Sequence, residues 1–165
     1  MFSKNPSSKK RIEEYLNMND TFAAGNTIRR HLEFVLGDLC RMNRIPLPIQ
    51  KHYSVYDYYK PVKDYFLEET FKGTDVEEYY NETFKQLDDT TYIGNLLSHK
   101  NEKNYDLTKG EIEKFKLAVY GLENAFKCKT HTKQYFIIDQ KRRIGVCRNE
   151  KCTDIFKYKK INNGG

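Results

Sequence analysis

Apolar residues recur every three or four positions in two stretches of the chain, which is the spacing of an amphipathic α-helix. In residues 22–42, which contain no proline, the recurring positions are Ile28, Leu32, Val35, Leu36 and Leu39. In residues 112–126 they are Ile112, Phe115, Val119, Leu122 and Phe126. Both stretches are therefore predicted to be helices that anchor the core.

Prolines and polar segments mark where the helical part is interrupted. Pro46 and Pro48 disfavour helical geometry in the residues before them, so a turn or an extended crossover should follow the first core helix. A shorter helix is predicted near residues 11–17, after a polar start at residues 1–10 that we expect to be flexible. Residues 53–92 are predicted to be helical with breaks.

Two Thr-x-x-Glu sequences have the form of a capping box, which marks the start of a helix. They are formed by Thr74 with Glu77 and by Thr108 with Glu111. In this motif the threonine hydroxyl accepts a backbone amide hydrogen bond, and the glutamate accepts one in return. Helices are predicted to begin at both sites.

Tyrosines are concentrated in residues 53–92, where Phe66, Phe71 and Phe84 are interleaved with them. Stacking of these rings on RNA bases would be one use for them. Their helical spacing favours another, which is packing in or beside the core. The eight tyrosines are Tyr53, Tyr56, Tyr58, Tyr59, Tyr65, Tyr79, Tyr80 and Tyr92.

Beyond residue 126 the pattern changes to that of short strands. Residues 134–139 are rich in aromatic and β-branched side chains, residues 140–143 form a polar turn, and residues 144–147 begin a second extended run. Residues 153–158 would supply a third strand. A sheet this small buries little apolar surface, so it needs a staple or a docking surface. The predicted fold is mainly α, with a helical bundle over residues 11–126, a β appendage over residues 127–160 and a tail at residues 161–165.

Composition agrees with a folded domain that does not span a membrane. The 165 residues are 38% apolar and include 10 Phe and 13 Tyr, enough for a real core. No apolar run approaches the roughly 20 residues of a membrane span. The start of the chain has no apolar stretch of signal-peptide length, which predicts a cytoplasmic protein.

Positive charge is concentrated at the C-terminal end. Residues 127–165 contain 11 basic and three acidic side chains, whereas residues 1–126 contain 18 basic and 20 acidic ones. Such a field favours a polyanion such as a nucleic acid, although a basic tail can also be merely solvated. The candidate nucleic-acid-binding residues are Arg30, Lys141, Arg142, Arg143 and Arg148.

Cysteine and histidine residues are paired at metal-ligand spacing in the predicted appendage. Cys128 and His131 form a Cys-x2-His pair, and Cys147 and Cys152 form a Cys-x4-Cys pair. The intervening 15 residues fit one β-hairpin, as in a zinc ribbon, and four such ligands would form a closed structural Zn²⁺ site. The alternative is three unrelated thiols and a solvated histidine. Cys40 has no such neighbours and is predicted to serve in packing.

Arg29 and Glu33 lie four residues apart, and therefore on one face of the first core helix. A histidine, His99, follows an apolar pair near a predicted helix end. One interpretation is structural, with an ordinary helix-surface ion pair and a capping or buried histidine. In the other interpretation, the three side chains form one active site.

Three segments carry a resemblance to a known family. Residues 23–33, with the sequence AAGNTIRRHLE, the Leu97-Ser98-His99 segment and Phe126-Lys127-Cys128 resemble the C-terminal region of bacterial SMC- or RecF-like ATPases. Those regions resemble the helical HEPN domains and the related anticodon nucleases of phage defence.

The resemblance implies a HEPN-like bundle with a zinc-ribbon-like appendage, and a metal-independent endoribonuclease that acts on tRNA-like RNA. His99 would act as general acid or base, and Arg29 with Arg30 would hold the charge of the phosphorane. Glu33 would orient Arg29 or share the proton transfer. It also implies a homodimer or an SMC/RecF-like ATPase as partner. The alternative function is a non-catalytic module that docks on such an ATPase or on itself, while its basic appendage contacts nucleic acid.

The sequence lacks the motifs by which several enzyme classes are usually identified. The sequence has no Gly-x4-Gly-Lys-Ser/Thr loop, so this chain is not by itself a P-loop ATPase. It also has no Gly-x-Ser-x-Gly, His-Glu-x2-His or Gly-x-Gly-x2-Gly motif. The two hypotheses above therefore remain, and they differ in whether the chain is catalytic.

Overall fold

The computed structural model describes residues 7–98, 107–131 and 134–161, which form a mainly helical chain with a small antiparallel sheet at its end. The helices are α1 (Ser8–Asn17), α2 (Thr21–Asn43), α3 (Val55–Asp64), α4 (Glu77–Asp88), α5 (Thr91–Ser98) and α6 (Lys109–Phe126). A π-helical segment, Tyr65–Thr70, continues α3. The strands are β1 (Phe136–Asp139), β2 (Ile144–Cys147) and β3 (Ile155–Lys157). Within these described ranges, no helix is both long and apolar enough to cross a membrane.

The two predicted core helices are confirmed as α2 and α6. α2 is central, because α1, α3, α5 and α6 all pack against it. Each of the ten positions in the two apolar stripes is buried. Cys40, near the end of α2, is buried in the same core, as predicted, and burial raises the pKa of its thiol to about 11.

Helix ends follow from local hydrogen bonds. The carboxylate of Asp20 accepts the amide of Ala23 at 3.0 Å and starts α2. α2 ends at Asn43, and its C-cap residue Arg44 has a left-handed backbone with φ of 52°. A connection without helix or strand follows at residues 45–54, as the prolines predict. α1 begins at Ser8, where the hydroxyl of Ser7 accepts the amide of Lys10 at 3.3 Å. The helix predicted near residues 11–17 therefore begins three residues earlier, at Ser8.

One predicted capping box is confirmed and the other is wrong. Thr108 and Glu111 cap α6 as expected. Thr74 does not cap α4, whose N-cap is Val76, and its hydroxyl instead donates to the carbonyl of Phe71 at 2.6 Å. The reason is a long-range pairing, because the backbone of Thr74 forms a bridge with that of Lys160.

Aromatic rings fill the centre of the bundle. The rings of Phe71 and Tyr80 stack with centroids 4.1 Å apart, and Phe126 lies 5.0 Å from Tyr80. The hydroxyl of Tyr80 donates to the carbonyl of Ala125 at 2.7 Å, so its polar end is satisfied. Tyr79 and Tyr92 are exposed, and the other six tyrosines of residues 53–92 are buried or half-buried, in agreement with the packing prediction.

The sheet has the order β1-β2-β3 and docks on the bundle through one face. Phe156 on that inner face contacts both Phe71 and Tyr80, with ring centroids 6.3 and 6.2 Å apart. The side-chain oxygen of Asn43 at the end of α2 accepts the amide of Ile138 on β1 at 3.0 Å. The appendage therefore packs directly against the helical core.

Candidate metal centre and nucleic-acid interface

The four predicted ligands converge. One ligand atom from each of Cys128, His131, Cys147 and Cys152 lies within 4.8 Å of the others. The Sγ atom of Cys128 lies 3.5 Å from Sγ of Cys152 and 4.0 Å from Nδ1 of His131. Ligand atoms in a tetrahedral zinc site lie roughly 3.5–3.8 Å apart, given Zn–S and Zn–N bonds of about 2.3 and 2.0 Å. The cluster could therefore hold a metal ion after small side-chain movements.

Two turns and the hairpin bring the ligands together. In the first turn, the amide of Cys128 donates to the carbonyl of Gln134 at 2.9 Å. In the second, the amide of Cys152 donates to the carbonyl of Asn149 at 2.9 Å. The hydroxyl of Thr130 donates to the carboxylate of Asp154 and connects the two turns. The antiparallel pairing of Phe136 with Cys147 then sets the second ligand pair beside the first.

Burial and hydrogen bonds shift the pKa values of two of the thiols. The amide of His131 donates to Sγ of Cys128 at 3.4 Å. Burial opposes ionisation of the Cys128 thiol, but hydrogen bonds from His131, Cys152 and Thr130 outweigh it and lower its pKa to about 7. Burial and the neighbouring thiols raise the pKa of Cys152 to about 11. Phe136 packs against Cys128 and Cys147, while His131 and Cys152 are half-buried.

A buried carboxylate links this cluster to the bundle, and sequence reasoning missed it. Glu123 on α6 is 3% exposed, and its carboxylate lies 2.5 Å from Nε2 of His31 on α2. It also forms ion pairs with Lys127 and, at 3.4 Å, with Lys9 on α1. Burial would raise the pKa of Glu123, but hydrogen bonds from His31 and Lys127 lower it to about 2. The available signal was an acidic residue four positions after Val119, within the apolar stripe of α6.

Arg29 and Glu33 are bonded, with Nη1 of Arg29 3.0 Å from Oε1 of Glu33. Both side chains are partly exposed. Burial raises the pKa of the neighbouring Tyr56 hydroxyl, and the charge of Arg29 opposes that shift. His99, the third predicted member, lies outside the described residues. The structure therefore brings two of the three residues together, in the form of an i,i+4 ion pair.

The predicted nucleic-acid-binding residues are dispersed. Arg30 is exposed on α2, and Lys141 and Arg142 are exposed at the β1–β2 turn. The guanidinium of Arg142 bonds to the carboxylate of Asp139 at 2.8 Å, so its charge is already paired. Arg143 is half-buried at the same turn. Arg148 follows β2 and lies elsewhere, in a groove.

That groove runs between the end of α2 and the sheet and has a volume of about 690 Å³. Three arginines line it, and its one acidic lining residue, Asp38, pairs with Arg41. Sequence reasoning missed Arg41 and Arg44, because they belong to the helical part, where acidic residues outnumber basic ones. We call this feature the basic groove, and its lining residues are Asp38, Arg41, Met42, Arg44, Gln134, Tyr135, Ile137 and Arg148.

Comparison with known proteins gives no match for this chain. No family model, no curated protein and no solved structure matches it. The resemblance to ATPase C-terminal regions and HEPN nucleases therefore stays a prediction. The features of the chain that bear on function are the metal-ligand cluster, the Arg29–Glu33 pair and the basic groove.

Proposed function

We propose that this protein is a nucleic-acid-binding module in which a structural Zn²⁺ ion holds the basic appendage against the helical bundle. The observation that carries the proposal is the basic groove, where arginines from two distant parts of the chain meet. A metal ion bound by the metal-ligand cluster would fix one wall of that groove, because Arg148 immediately follows the proposed ligand Cys147. In this proposal the metal has no catalytic part.

The donor set supports zinc. Three thiols and one imidazole are soft and borderline ligands, which suit Zn²⁺ in tetrahedral structural sites. Cys128 and Cys147 are buried, and Cys152 and His131 are half-buried, so the ligands enclose the site. A bound Zn²⁺ would supply folding free energy to a sheet that is too small to be stable alone.

The charges of the groove support a phosphate-bearing ligand. Guanidinium groups bind phosphate oxygens through two parallel hydrogen bonds. Within the part of the chain that the structure describes, the guanidinium groups of Arg44 and Arg148 have no acidic partner. Both side chains are exposed, so they are available to a ligand.

The test is the affinity of the chain for labelled RNA and DNA oligonucleotides, single-stranded and duplex, measured by fluorescence anisotropy at several salt concentrations. Arg44→Glu with Arg148→Glu should weaken binding by about 100-fold and flatten the salt dependence by about two phosphate contacts. Lys60→Glu with Lys72→Glu is the matched control, because both lysines are exposed away from the groove. An equal loss in the control, or no binding by the wild type, would contradict the proposal.

A second candidate function is metal-independent RNA cleavage by Arg29, Glu33 and His99. The observation in its favour is the bonded pair of Arg29 and Glu33, in which Nε of Arg29 is buried without a hydrogen-bond partner among the described residues. In the proposed reaction the ribose 2′-hydroxyl would attack the adjacent phosphate. The products would be a 2′,3′-cyclic phosphate and a free 5′-hydroxyl, with proton transfer by His99.

This second candidate is tested separately, by incubation of the chain with total tRNA in the presence of a chelator. Wild-type cleavage that yields 2′,3′-cyclic phosphate ends and is lost in His99→Ala would support it. Cleavage that is equal in both proteins would indicate a contaminant and contradict it. No cleavage by either protein would leave the binding module as the proposed function.

A further inference from the structure

The sheet carries apolar side chains on both faces, although only its inner face packs against the bundle. Side chains alternate along a strand, so Phe136 points inward and Ile137 points outward. The register pairs Ile137 with Val146, and Val146 with Ile155. These three form one row across the strands, and Ile144 lies on the same side. We call these four residues the outer sheet face.

The outer sheet face is apolar, and three of its four side chains are exposed, while Ile144 is half-buried. Ile137 and Val146 are each 36% exposed, and Ile155 is 48% exposed. None of the four belongs to either hydrophobic cluster that the described residues form. The solvated face of an antiparallel sheet is normally polar, so four β-branched aliphatic residues on it indicate an interaction surface.

Positive charge borders this face at both ends. Lys157 is the cross-strand partner of Ile144. Arg148 follows β2, and it lines the basic groove together with Ile137. The nearby carboxylates already have partners: Asp139 is bonded to Arg142, Asp38 in the groove pairs with Arg41, and Asp154 accepts from Thr130. The border is therefore complementary to an acidic ligand.

We propose that the outer sheet face is the docking surface for an acidic amphipathic helix of a partner protein. The apolar side of that helix would cover the row of Ile137, Val146 and Ile155, and its carboxylates would meet Arg148 and Lys157. The dimensions agree, because three adjacent strands span about 10 Å and helical positions i, i+4 and i+7 span about 10.5 Å. This proposal does not depend on nucleic-acid binding in the groove.

Charge and chemistry argue against two other occupants. A second copy of the chain would bring a like-charged border against this one, which costs free energy. Sheets that bind single-stranded nucleic acid present aromatic rings for base stacking, whereas the outer sheet face carries aliphatic side chains only. An acidic helix satisfies both the apolar row and the basic border.

The test begins with a displayed library of random peptides, selected on the metal-loaded full chain and counter-selected on Val146→Thr with Ile155→Thr. Threonine keeps the β-branch, so the variant should retain the unfolding temperature of the wild type. We expect enriched peptides to carry apolar residues at three- and four-residue spacing together with Asp and Glu. A synthetic peptide from the selection should bind this variant at least about tenfold more weakly than the wild type.

Exposed isoleucines outside the sheet provide the matched control. Ile49→Thr with Ile161→Thr removes two exposed isoleucines outside the sheet and should leave peptide affinity within about twofold. Equal affinity for Val146→Thr with Ile155→Thr, or selected peptides without acidic residues, would overturn the proposal. So would a dimer or an RNA complex that this variant disrupts, because the occupant would then be a second copy or a nucleic acid. The groove variants test nucleic-acid binding separately.

Discussion

The imidazole of His31 on α2 and the carboxylate of Glu123 on α6 lie 2.5 Å apart inside the bundle. The same carboxylate pairs with Lys127, and the next residue along the chain is Cys128, a member of the cluster that could hold a metal ion. A buried charge is tolerated only when it is paired, and here the partners are His31 on α2, Lys9 on α1 and Lys127, which follows α6. The pair therefore connects the packing of the helices to the position of the first metal-ligand turn.

Glu123 should make the stability of the protein fall in acid. Its pKa is lowered to about 2 in the folded state, from a usual value of 4.5. The stabilisation is therefore complete above about pH 4.5 and is lost as the pH falls towards 2. We expect Glu123→Gln to remove about 3 kcal/mol of that acid-dependent change in the free energy of unfolding.

Urea unfolding of both proteins between pH 6 and pH 2 measures this difference. Glu14→Gln is the control, since Glu14 is an exposed carboxylate on α1. A Glu123→Gln protein whose stability depends on pH as steeply as that of the wild type would show that the buried pair contributes nothing to acid denaturation.

The metal centre should be detectable by its stoichiometry. We expect about one Zn²⁺ per chain by elemental analysis, retained in Cys40→Ala and lost in Cys128→Ser with Cys152→Ser. A chelator should lower the unfolding temperature of the wild type but not that of the double variant. A cobalt-substituted protein should show thiolate-to-metal charge-transfer absorption. A wild type that binds no metal, or a double variant that keeps it, would exclude the site.

The capping box of α6 gives a local stability prediction. The hydroxyl of Thr108 accepts the amide of Glu111 at 3.1 Å, and the carboxylate of Glu111 accepts the amide of Thr108 at 2.8 Å. Thr108→Ala should lower the free energy of unfolding by about 1 kcal/mol, and Thr108→Ser should leave it nearly unchanged. Chemical denaturation of the three proteins measures this, and equal loss in both variants would mean that the hydroxyl is not the cause.

Features that depend on near neighbours in the chain could be predicted from the sequence. The stripes of α2 and α6 follow from one helical period, and the capping box at Thr108 involves residues within one turn. The metal-ligand cluster was predictable because a hairpin of about 15 residues returns Cys147 to the vicinity of Cys128.

Features that depend on long-range packing could not be predicted in this way. Thr74 has the sequence of a cap but pairs with Lys160, which only the folded chain brings near. Glu123 is balanced by His31, 92 positions away. The basic groove joins Arg44 to Arg148, and no period or motif relates residues at such a separation. Local propensity determines the conformation of a residue only where tertiary contacts do not compete with it.

Two glycine substitutions should have opposite effects on stability. A Cβ added at Gly145 on β2 would lie 3.0 Å from Cβ of Phe136 and 3.2 Å from Cδ1 of Phe156, the two rings beside the metal-ligand cluster. Gly145→Ala should therefore push these rings apart, lower the free energy of unfolding by about 1–3 kcal/mol and speed release of the metal to a chelator. A Cβ at Gly121 on α6 meets nothing within 4 Å, so Gly121→Ala should raise stability by about 0.5–1 kcal/mol through helix propensity. Because both changes add one methyl group, a shift of the same sign in both proteins would show that close packing over β2 is not what requires glycine there.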